Sequence, residues 1–476
     1  MNTPKRELPV GRRAFLGSLG AAGVGVLAAP AILPSRAWAA GAAAANNRLN
    51  IAAIGTGGRC GALIEEVLRH GENVVALCDV DRAQIAAARK LVAEKVPQGR
   101  QAADKLRLYE DYRKLLEAEK LLDGVLVATG SRWHAPISVA FLRAGKHVYC
   151  EKPLVRKIAE ARELAELAQS GKVATQTGTQ GGSSLSFRRT VEVIQAGVLG
   201  QVRRVHLWCD GYGPNPPSHA RPPGEDPLPA GLNWDFWLGP APLRPFKRGV
   251  YHPGCLAFQN WLDLCNGMLA GQGAHTFYLP VRALKLGHPT RVETEIPEPV
   301  QETYVSRGHF RFEFPARGGL APVTLWWSDG GRYPPEEVTR GVQAISGKVP
   351  NMGCLFVGEQ GELFAGGWGG GGVLKLKGDK SWRGVLDHDA AKSVPVTLPR
   401  VPGDNHMLEW LRACKGGPAT WTGFDVGGHV SAVYLPGILA LRLGRPIDWD
   451  GAAMKARGLP EADPLIQKTY RTKWLL

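Results

Sequence analysis

One stretch near the start restricts the fold more than any other. Arg48-Leu49-Asn50-Ile51-Ala52-Ala53-Ile54 is an apolar run of strand length that stops at Gly55-Thr56-Gly57-Gly58-Arg59-Cys60-Gly61. A helical stretch from about Ala62 to His70 comes next, then a second apolar run, Asn73–Cys78, which ends at Asp79 with Asp81 close behind. Short, continuously apolar strands alternating with helices fit a parallel sheet covered on both faces and joined by right-handed crossovers. Glycines in the first turn let the backbone approach an anionic group at the positive end of the helix. A carboxylate about 20 residues further on stands where a ribose hydroxyl would donate. The order is that of a dinucleotide-binding unit, with Gly55, Thr56, Gly57, Gly58 and Arg59 as the phosphate turn and Asp79 as the ribose acceptor. The third glycine position holds Cys60, small enough for close packing of helix on strand. A carboxylate at Asp79 repels a ribose phosphate, so NAD is expected in preference to NADP.

The alternation continues. A helix is predicted over 83–95, a strand over 106–109, a helix from Tyr112 and a strand over 123–128, ending in Thr129-Gly130-Ser131-Arg132-Trp133-His134. Carboxyl ends of parallel strands are where ligands bind, which makes Thr129, Trp133 and His134 candidate cofactor contacts; for His134 a packing role at a helix start is an equal alternative. After Gly145–Val148, a helix over 158–171 and a strand over 172–180 complete a doubly wound domain spanning 48–180. Beyond it the pattern changes to half-polar alternation, as in Val202–Trp208, His309–Phe314 and Val323–Trp327, which marks antiparallel strands with one exposed face. The expected fold is therefore α/β followed by α+β: an N-terminal Rossmann domain with a doubly wound parallel sheet, then a C-terminal mixed, largely antiparallel sheet domain over 181–476 for substrate and oligomerisation. A Pro- and Trp-rich loop over 211–255 is expected above its face, and late helices over 404–414 and 426–442 are expected to pack back on the first domain.

The first forty residues read as a separate segment. Gly11-Arg12-Arg13-Ala14-Phe15-Leu16-Gly17 precedes a weakly apolar Ala/Gly stretch, and Ala37-Trp38-Ala39 resembles a cleavage site. This is the pattern of a twin-arginine export signal over 1–40. It implies recognition by the twin-arginine machinery, a periplasmic destination with no stable membrane span after cleavage, and a cofactor loaded before export and then tightly held. The net charge of +15 is spread without a run of five basic residues or any nucleic-acid module, so nucleic acid is not expected as a partner. The eight cysteines form no CxxC pair and no metal-ligand spacing, and no metal site is expected.

Tyr149-Cys150-Glu151-Lys152-Pro153-Leu154 ends a buried strand with an ionisable pair, which a strand covered on both faces does not tolerate without cause. Together with the cofactor turn, Ala76–Asp81, Ala128–Ala135, Asn233–Pro242, Tyr251-His252-Pro253 and Ala440–Arg445, this motif resembles the Gfo/Idh/MocA family of sugar and inositol oxidoreductases, in an exported branch. The resemblance implies that Lys152 is the acid/base meeting both nicotinamide and the reacting hydroxyl, that the Lys152–Pro153 bond is cis, and that Glu151 stands beside the cofactor. It implies an oxidoreductase acting on the CH–OH group of a sugar, polyol or sugar derivative.

The second family motif departs from its usual form. His275 is present as a second catalytic candidate, but Gly271 and Tyr278 stand where the resemblance leads one to expect carboxylates, and Ser131 and Arg132 replace a frequent aspartate–histidine pair. Tyr251, His252, Asp263, His275 and Tyr278 are the candidate substrate contacts; Trp208, Tyr212, Trp234, Trp237 and Trp261 could stack on a sugar or anchor loops. Three readings follow: NAD-dependent oxidation, glycoside cleavage through a transient ketosugar, and a non-catalytic sugar-binding accessory protein. A homo-oligomer, dimer or tetramer, is expected from the open sheet face.

Overall fold

The computed structural model describes residues 47–96, 99–210, 220–295, 300–471 and 474. The predicted export signal and Tyr212 lie outside them. Six parallel strands form the first sheet: β1 (Asn50–Ile54), β2 (Asn73–Cys78), β3 (Arg107–Tyr109), β4 (Gly124–Val127), β5 (His147–Cys150) and β6 (Thr175–Thr177), in the spatial order β3-β2-β1-β4-β5-β6. The chain reverses its direction of growth between β1 and β4, so their carboxyl ends open a crevice between diverging connections.

Helix α1 (Arg59–Arg69) buries Cys60, Leu63, Ile64 and Val67, one face at helical spacing. It starts three residues earlier than the apolar pattern indicates, because Gly58 (φ 52°, ψ −116°) turns the chain directly into it. Asp81 caps the next helix, α2 (Arg82–Lys95), by accepting from the Ala83 amide at 2.9 Å, which ties the end of β2 to a fixed turn. Helix α3 (Ser131–Arg143) begins at Gly130, and its first six residues, Ser131 to Pro136, are all buried.

The second sheet has ten strands, with β7 (Val202–Cys209) near its middle. Five others flank it most closely: β8 (Arg291–Thr294), β9 (His309–Phe314), β10 (Val323–Asp329), β11 (Met352–Gly358) and β12 (Gly361–Gly366). Its pairings are antiparallel except for β7 with β10, which makes it mixed. Along β9 the side chains alternate: Phe310, Phe312 and Phe314 are buried while His309, Arg311 and Glu313 are partly exposed. One face therefore covers the core, where Phe277 meets Phe312 with ring centroids 5.3 Å apart, and the other faces outward.

Two late segments join the halves. Helix α4 (His406–Cys414) places Met407, Trp410 and Leu411 in the same core cluster as Leu63 and Tyr149 of the first domain. The stretch Phe424–Leu443 is 20 residues long and apolar, yet 83% of its most apolar window is buried within the protein. Between the sheets, residues 231–233 attach to the end of β2: the Arg82 amide donates to Gly231 O (3.1 Å) and the Asn233 amide to Val80 O (2.8 Å). The described part of the predicted long loop is thereby held against the first domain, close to Asp79.

Candidate active site

At the crevice between β1 and β4 the structure encloses a cavity of about 510 Å³. One wall is the turn after β1. Gly55 has φ 78°, and a Cβ on it would lie 2.7 Å from both Cγ2 and the amide nitrogen of Thr129, so no other residue fits this approach of two strand ends. Asp79 is oriented by its own neighbourhood: Oδ2 accepts from the Thr56 amide (2.6 Å) and hydroxyl (3.2 Å), and Oδ1 from the Asp81 amide (3.0 Å). Burial pushes its pKa up, while these donors oppose the shift. A glycine cradle at the α1 N-terminus with a fixed carboxylate beyond it fits the phosphates and adenosine ribose of a dinucleotide.

The opposite wall is the end of β5. Arg59 Nε lies 3.2 Å from Glu151 Oε1, linking the phosphate turn to this strand end. The same oxygen accepts from Gln180 Nε2 (3.1 Å), and Oε2 from the Lys152 amide (3.3 Å). Gly178 makes room: a Cβ there would be 2.5 Å from Glu151 Oε2. Burial raises the Glu151 pKa, opposed by Arg59 and Lys152. Glu151 is therefore bound to Arg59 and Gln180 through its side chain, and the Lys152 side chain is directed elsewhere. The Lys152–Pro153 peptide is cis, and Nζ donates to the Gly271 carbonyl at 3.2 Å. Where the family resemblance leads one to expect a carboxylate, a backbone oxygen meets the lysine.

His275 lies in the same cavity, stacked on Trp368 with centroids 4.7 Å apart and planes 14° from parallel. Its Nε2 is buried and without a hydrogen-bond partner. Burial, followed by the positive charge of Lys152, holds its pKa well below the ordinary histidine value, so the ring is neutral near pH 7. An uncharged ring that lines a cavity and has an unpartnered nitrogen can exchange a hydrogen bond with a ligand hydroxyl.

The other candidates divide. His252 lines the cavity, with Nε2 3.7 Å from Asp81 Oδ2. His134 also reaches it, but both ring nitrogens meet backbone oxygens, Nδ1 with Pro153 O (2.7 Å) and Nε2 with Thr129 O (2.9 Å); it ties two strand ends together. Trp133 spends its N–H on Phe236 O (2.9 Å) and packs edge-on against Tyr112, so it forms wall rather than polar contact. Tyr251, Asp263 and Tyr278 lie outside the cavity, which corrects their selection as substrate contacts. Tyr251 belongs to a satellite core with Trp234, Phe246 and Trp261. Asp263 neutralises Arg221 and the buried Arg244, each at 3.0 Å. The Tyr278 hydroxyl donates to Trp421 O at 3.3 Å, beside Phe187. Of the aromatic candidates, Trp237 lines the cavity, whereas Trp208, Trp234 and Trp261 are buried in cores. Trp368, Gln259 and Phe258 complete the lining unforeseen. For Trp368 a signal existed: it is a single aromatic residue within a run of glycines, Gly366–Gly372.

The fold and cavity define a two-domain dinucleotide-dependent protein, a Rossmann domain joined to a large mixed sheet with the cavity between them. Residues 49–179 match the Gfo/Idh/MocA family model, described as an oxidoreductase family with an NAD-binding Rossmann fold. A glycosyl hydrolase family 109 protein of Stenotrophomonas maltophilia (strain K279a) is 34% identical over 209 residues, 42% of each chain. An inositol 2-dehydrogenase of Salmonella typhimurium (strain LT2) is 32% identical over 139 residues, 29% of this chain and 38% of the relative. The chain thus spans less than half the length of the curated relatives it matches. Among solved structures, the WlbA dehydrogenase of Chromobacterium violaceum, in complex with NADH and UDP-GlcNAcA, aligns with a TM-score of 0.57 at 15% identity, over 85% of this chain and 96% of that one. An inositol dehydrogenase homolog of Azotobacter vinelandii, in complex with NADH and myo-inositol, gives 0.54 at 18%, over 84% and 98%. At these identities the structural likeness establishes the fold.

Proposed function

We propose that this protein is an NAD-dependent oxidoreductase acting on the CH–OH group of a sugar, polyol or sugar derivative, with Lys152 as acid/base. The observation that carries this reading is that Lys152 and His275, whose Nε2 has no partner, line the same cavity as the Gly55–Arg59 turn and Asp79. Bound at that wall, NAD supplies the hydride acceptor. Gly57 and Gly58 admit the phosphates, and Asp79 accepts from the ribose. Lys152 Nζ, held by a neutral carbonyl, takes the hydroxyl proton as the carbon gives up hydride, so that the alcohol becomes a carbonyl. His275 Nε2 orients the substrate through a second hydroxyl, and Trp368 keeps its ring in place. Glu151 fixes the backbone at Lys152 through its amide and is anchored in turn by Arg59 and Gln180.

The names of the relatives support this substrate class, since they include an inositol 2-dehydrogenase. The likeness to glycosyl hydrolase family 109 favours a second reading, in which a transient ketosugar assists loss of a glycosidic substituent and the hydride returns to the same carbon. One experiment separates the two. The purified protein is incubated with a panel of free sugars and aryl glycosides, and products are identified by mass spectrometry. Ketosugar accumulating with NADH supports oxidation; aglycone release without net NADH supports cleavage; neither product, with sugar bound, makes this an accessory protein.

Export by the twin-arginine route belongs to the same proposal, with a cofactor retained in a compartment that lacks a cytoplasmic NAD supply. The attachment of residues 231–233 beside Asp79 supports retention. Replacing Arg12 and Arg13 by Lys and fractionating the cells tests it: the variant stays in the cytoplasm if the signal is read as proposed. Assembly as a dimer or tetramer is checked by light scattering.

A further inference from the structure

Arg132 differs from three other buried arginines. Arg188, Arg189 and Arg244 each meet a carboxylate, Glu409 at 2.6 Å, Glu192 at 3.0 Å and Asp263 at 3.0 Å. Arg132 is 2% exposed, and no carboxylate among the described residues pairs with it; the Cys265 thiol favours its charge, while Arg244 and Arg156, both of its own sign, oppose it. Burial drives its pKa down to about 9, a measure of how poorly its charge is compensated.

The guanidinium is nevertheless held in one orientation. Nε (2.9 Å) and Nη2 both donate to the Trp237 carbonyl. Its plane lies against the Trp237 ring, 3.8 Å from the centroid, with Phe258 at 5.3 Å. Nη1 is buried and has no partner. Gly130 opens the space beside it: a Cβ there would sit 2.1 Å from Nη1. Arg132, Gly130, Trp237 and Phe258 all line the cavity that holds Lys152 and His275. With the Nε edge occupied, Nη1 and the second N–H of Nη2 remain as a forked pair of donors, the arrangement that suits the two oxygens of a carboxylate.

We propose that Arg132 receives a carboxylate carried by the sugar substrate, so that the enzyme acts on acidic sugars, uronates or aldonates, in preference to neutral ones. The inference rests on the reading of this cavity as the site of a sugar oxidoreductase. The other oxyanion that could reach the cavity is the cofactor pyrophosphate, for which the glycine turn at the α1 N-terminus offers its own cradle.

The test uses NAD-loaded protein and isothermal titration with D-glucuronate, D-galacturonate, D-glucose and D-galactose, with reduction of bound NAD followed at 340 nm. A hydrogen-bonded charge pair in a buried setting corresponds to a preference of about ten- to one-hundred-fold for the acidic sugar. Arg132→Met, which keeps the stacking volume, abolishes that preference with NAD content unchanged. Arg132→Lys keeps part of it, and Gly130→Ala, which retains the charge but displaces Nη1, reduces it. Equal binding of acidic and neutral sugars by the wild type overturns the proposal, as does an Arg132→Met protein that keeps the preference. Loss of NAD in Arg132→Met, with sugar preference intact in Arg132→Lys, assigns the group to the pyrophosphate and also overturns it. If neutral sugars alone reduce the bound NAD, this inference fails while the oxidoreductase reading stands; if no sugar of either class does so, both fail.

Discussion

Three glycines of the phosphate turn have different physical reasons to be glycine, and alanine at each should separate folding from cofactor binding. At Gly55 a Cβ would lie 2.7 Å from the Thr129 amide nitrogen and 2.8 Å from the Ala128 carbonyl carbon, with φ at 78°. Backbone strain costs about 1–3 kcal/mol and overpacking against atoms that cannot swing aside about 1–3 kcal/mol. Gly55→Ala should therefore lose about 2–6 kcal/mol of stability, on the same principles. At Gly58, φ is 52° but nothing lies within 4 Å of the added carbon, which leaves only the strain of about 1–3 kcal/mol. At Gly57 the backbone is unstrained, and the new carbon meets only the Gln84 side chain, with Oε1 at 2.6 Å. Gly57→Ala should stay within about 1 kcal/mol of wild-type stability while its methyl group blocks the approach of the pyrophosphate. The assay pairs urea unfolding of cofactor-stripped protein with NAD titration. The reasoning predicts the largest loss of stability in Gly55→Ala and a weakening of NAD binding by more than about tenfold in Gly57→Ala, since one displaced hydrogen-bonded contact is worth about that factor. If Gly57→Ala bound NAD as well as the wild type, the turn would not be the phosphate cradle.

Other expectations follow from the same geometry. His275 cannot readily take a proton in the fold, whereas it can once unfolded, so wild-type stability falls as pH drops below the ordinary value of 6.5, by up to about 1.4 kcal/mol per pH unit from this residue. His275→Asn should show a shallower acid slope in unfolding measured from pH 7 to 5; an identical slope would refute the assignment of burial. Glu192 is held down to about 2: burial would raise it, but Arg400, the Leu398 amide, Arg189 and the Thr397 amide outweigh that. Its stabilising contribution is complete above the ordinary value of 4.5 and is lost as pH falls toward 2, a loss that Glu192→Gln should not show in acid titration followed by circular dichroism. Trp368→Ala removes the ring against His275 and should raise KM more than it lowers stability, because Trp368 is 44% exposed.

Much of the first domain could be read from the sequence because its signals are local. Strands β1, β2 and β4 are largely apolar runs, and the Gly55–Arg59 turn, Asp79 and Glu151-Lys152-Pro153 all sit at strand ends, where chain order and position in space coincide. The cavity lining from the second half was less legible. Tyr251, Asp263 and Tyr278 had suitable chemistry, but their contacts are decided by partners far away: Asp263 by Arg221 and Arg244, Tyr278 by Trp421. Trp368 reaches the site from the connection after β12 and is 93 residues from the histidine it stacks on, a separation that no periodicity encodes. The Lys152 partner was hidden for a different reason. Gly271 contributes a backbone carbonyl, and every residue type has one.

The most direct test of the account concerns Lys152. Protein purified with its cofactor is mixed rapidly with a substrate sugar, and formation of NADH in a single turnover is followed at 340 nm in wild type and in Lys152→Met, with NAD occupancy measured in parallel. The account predicts equal occupancy and a fall in the hydride-transfer rate of about 10²–10⁴-fold, the contribution of a positioned acid/base. A Lys152→Met protein that reduced its NAD at the wild-type rate would contradict it.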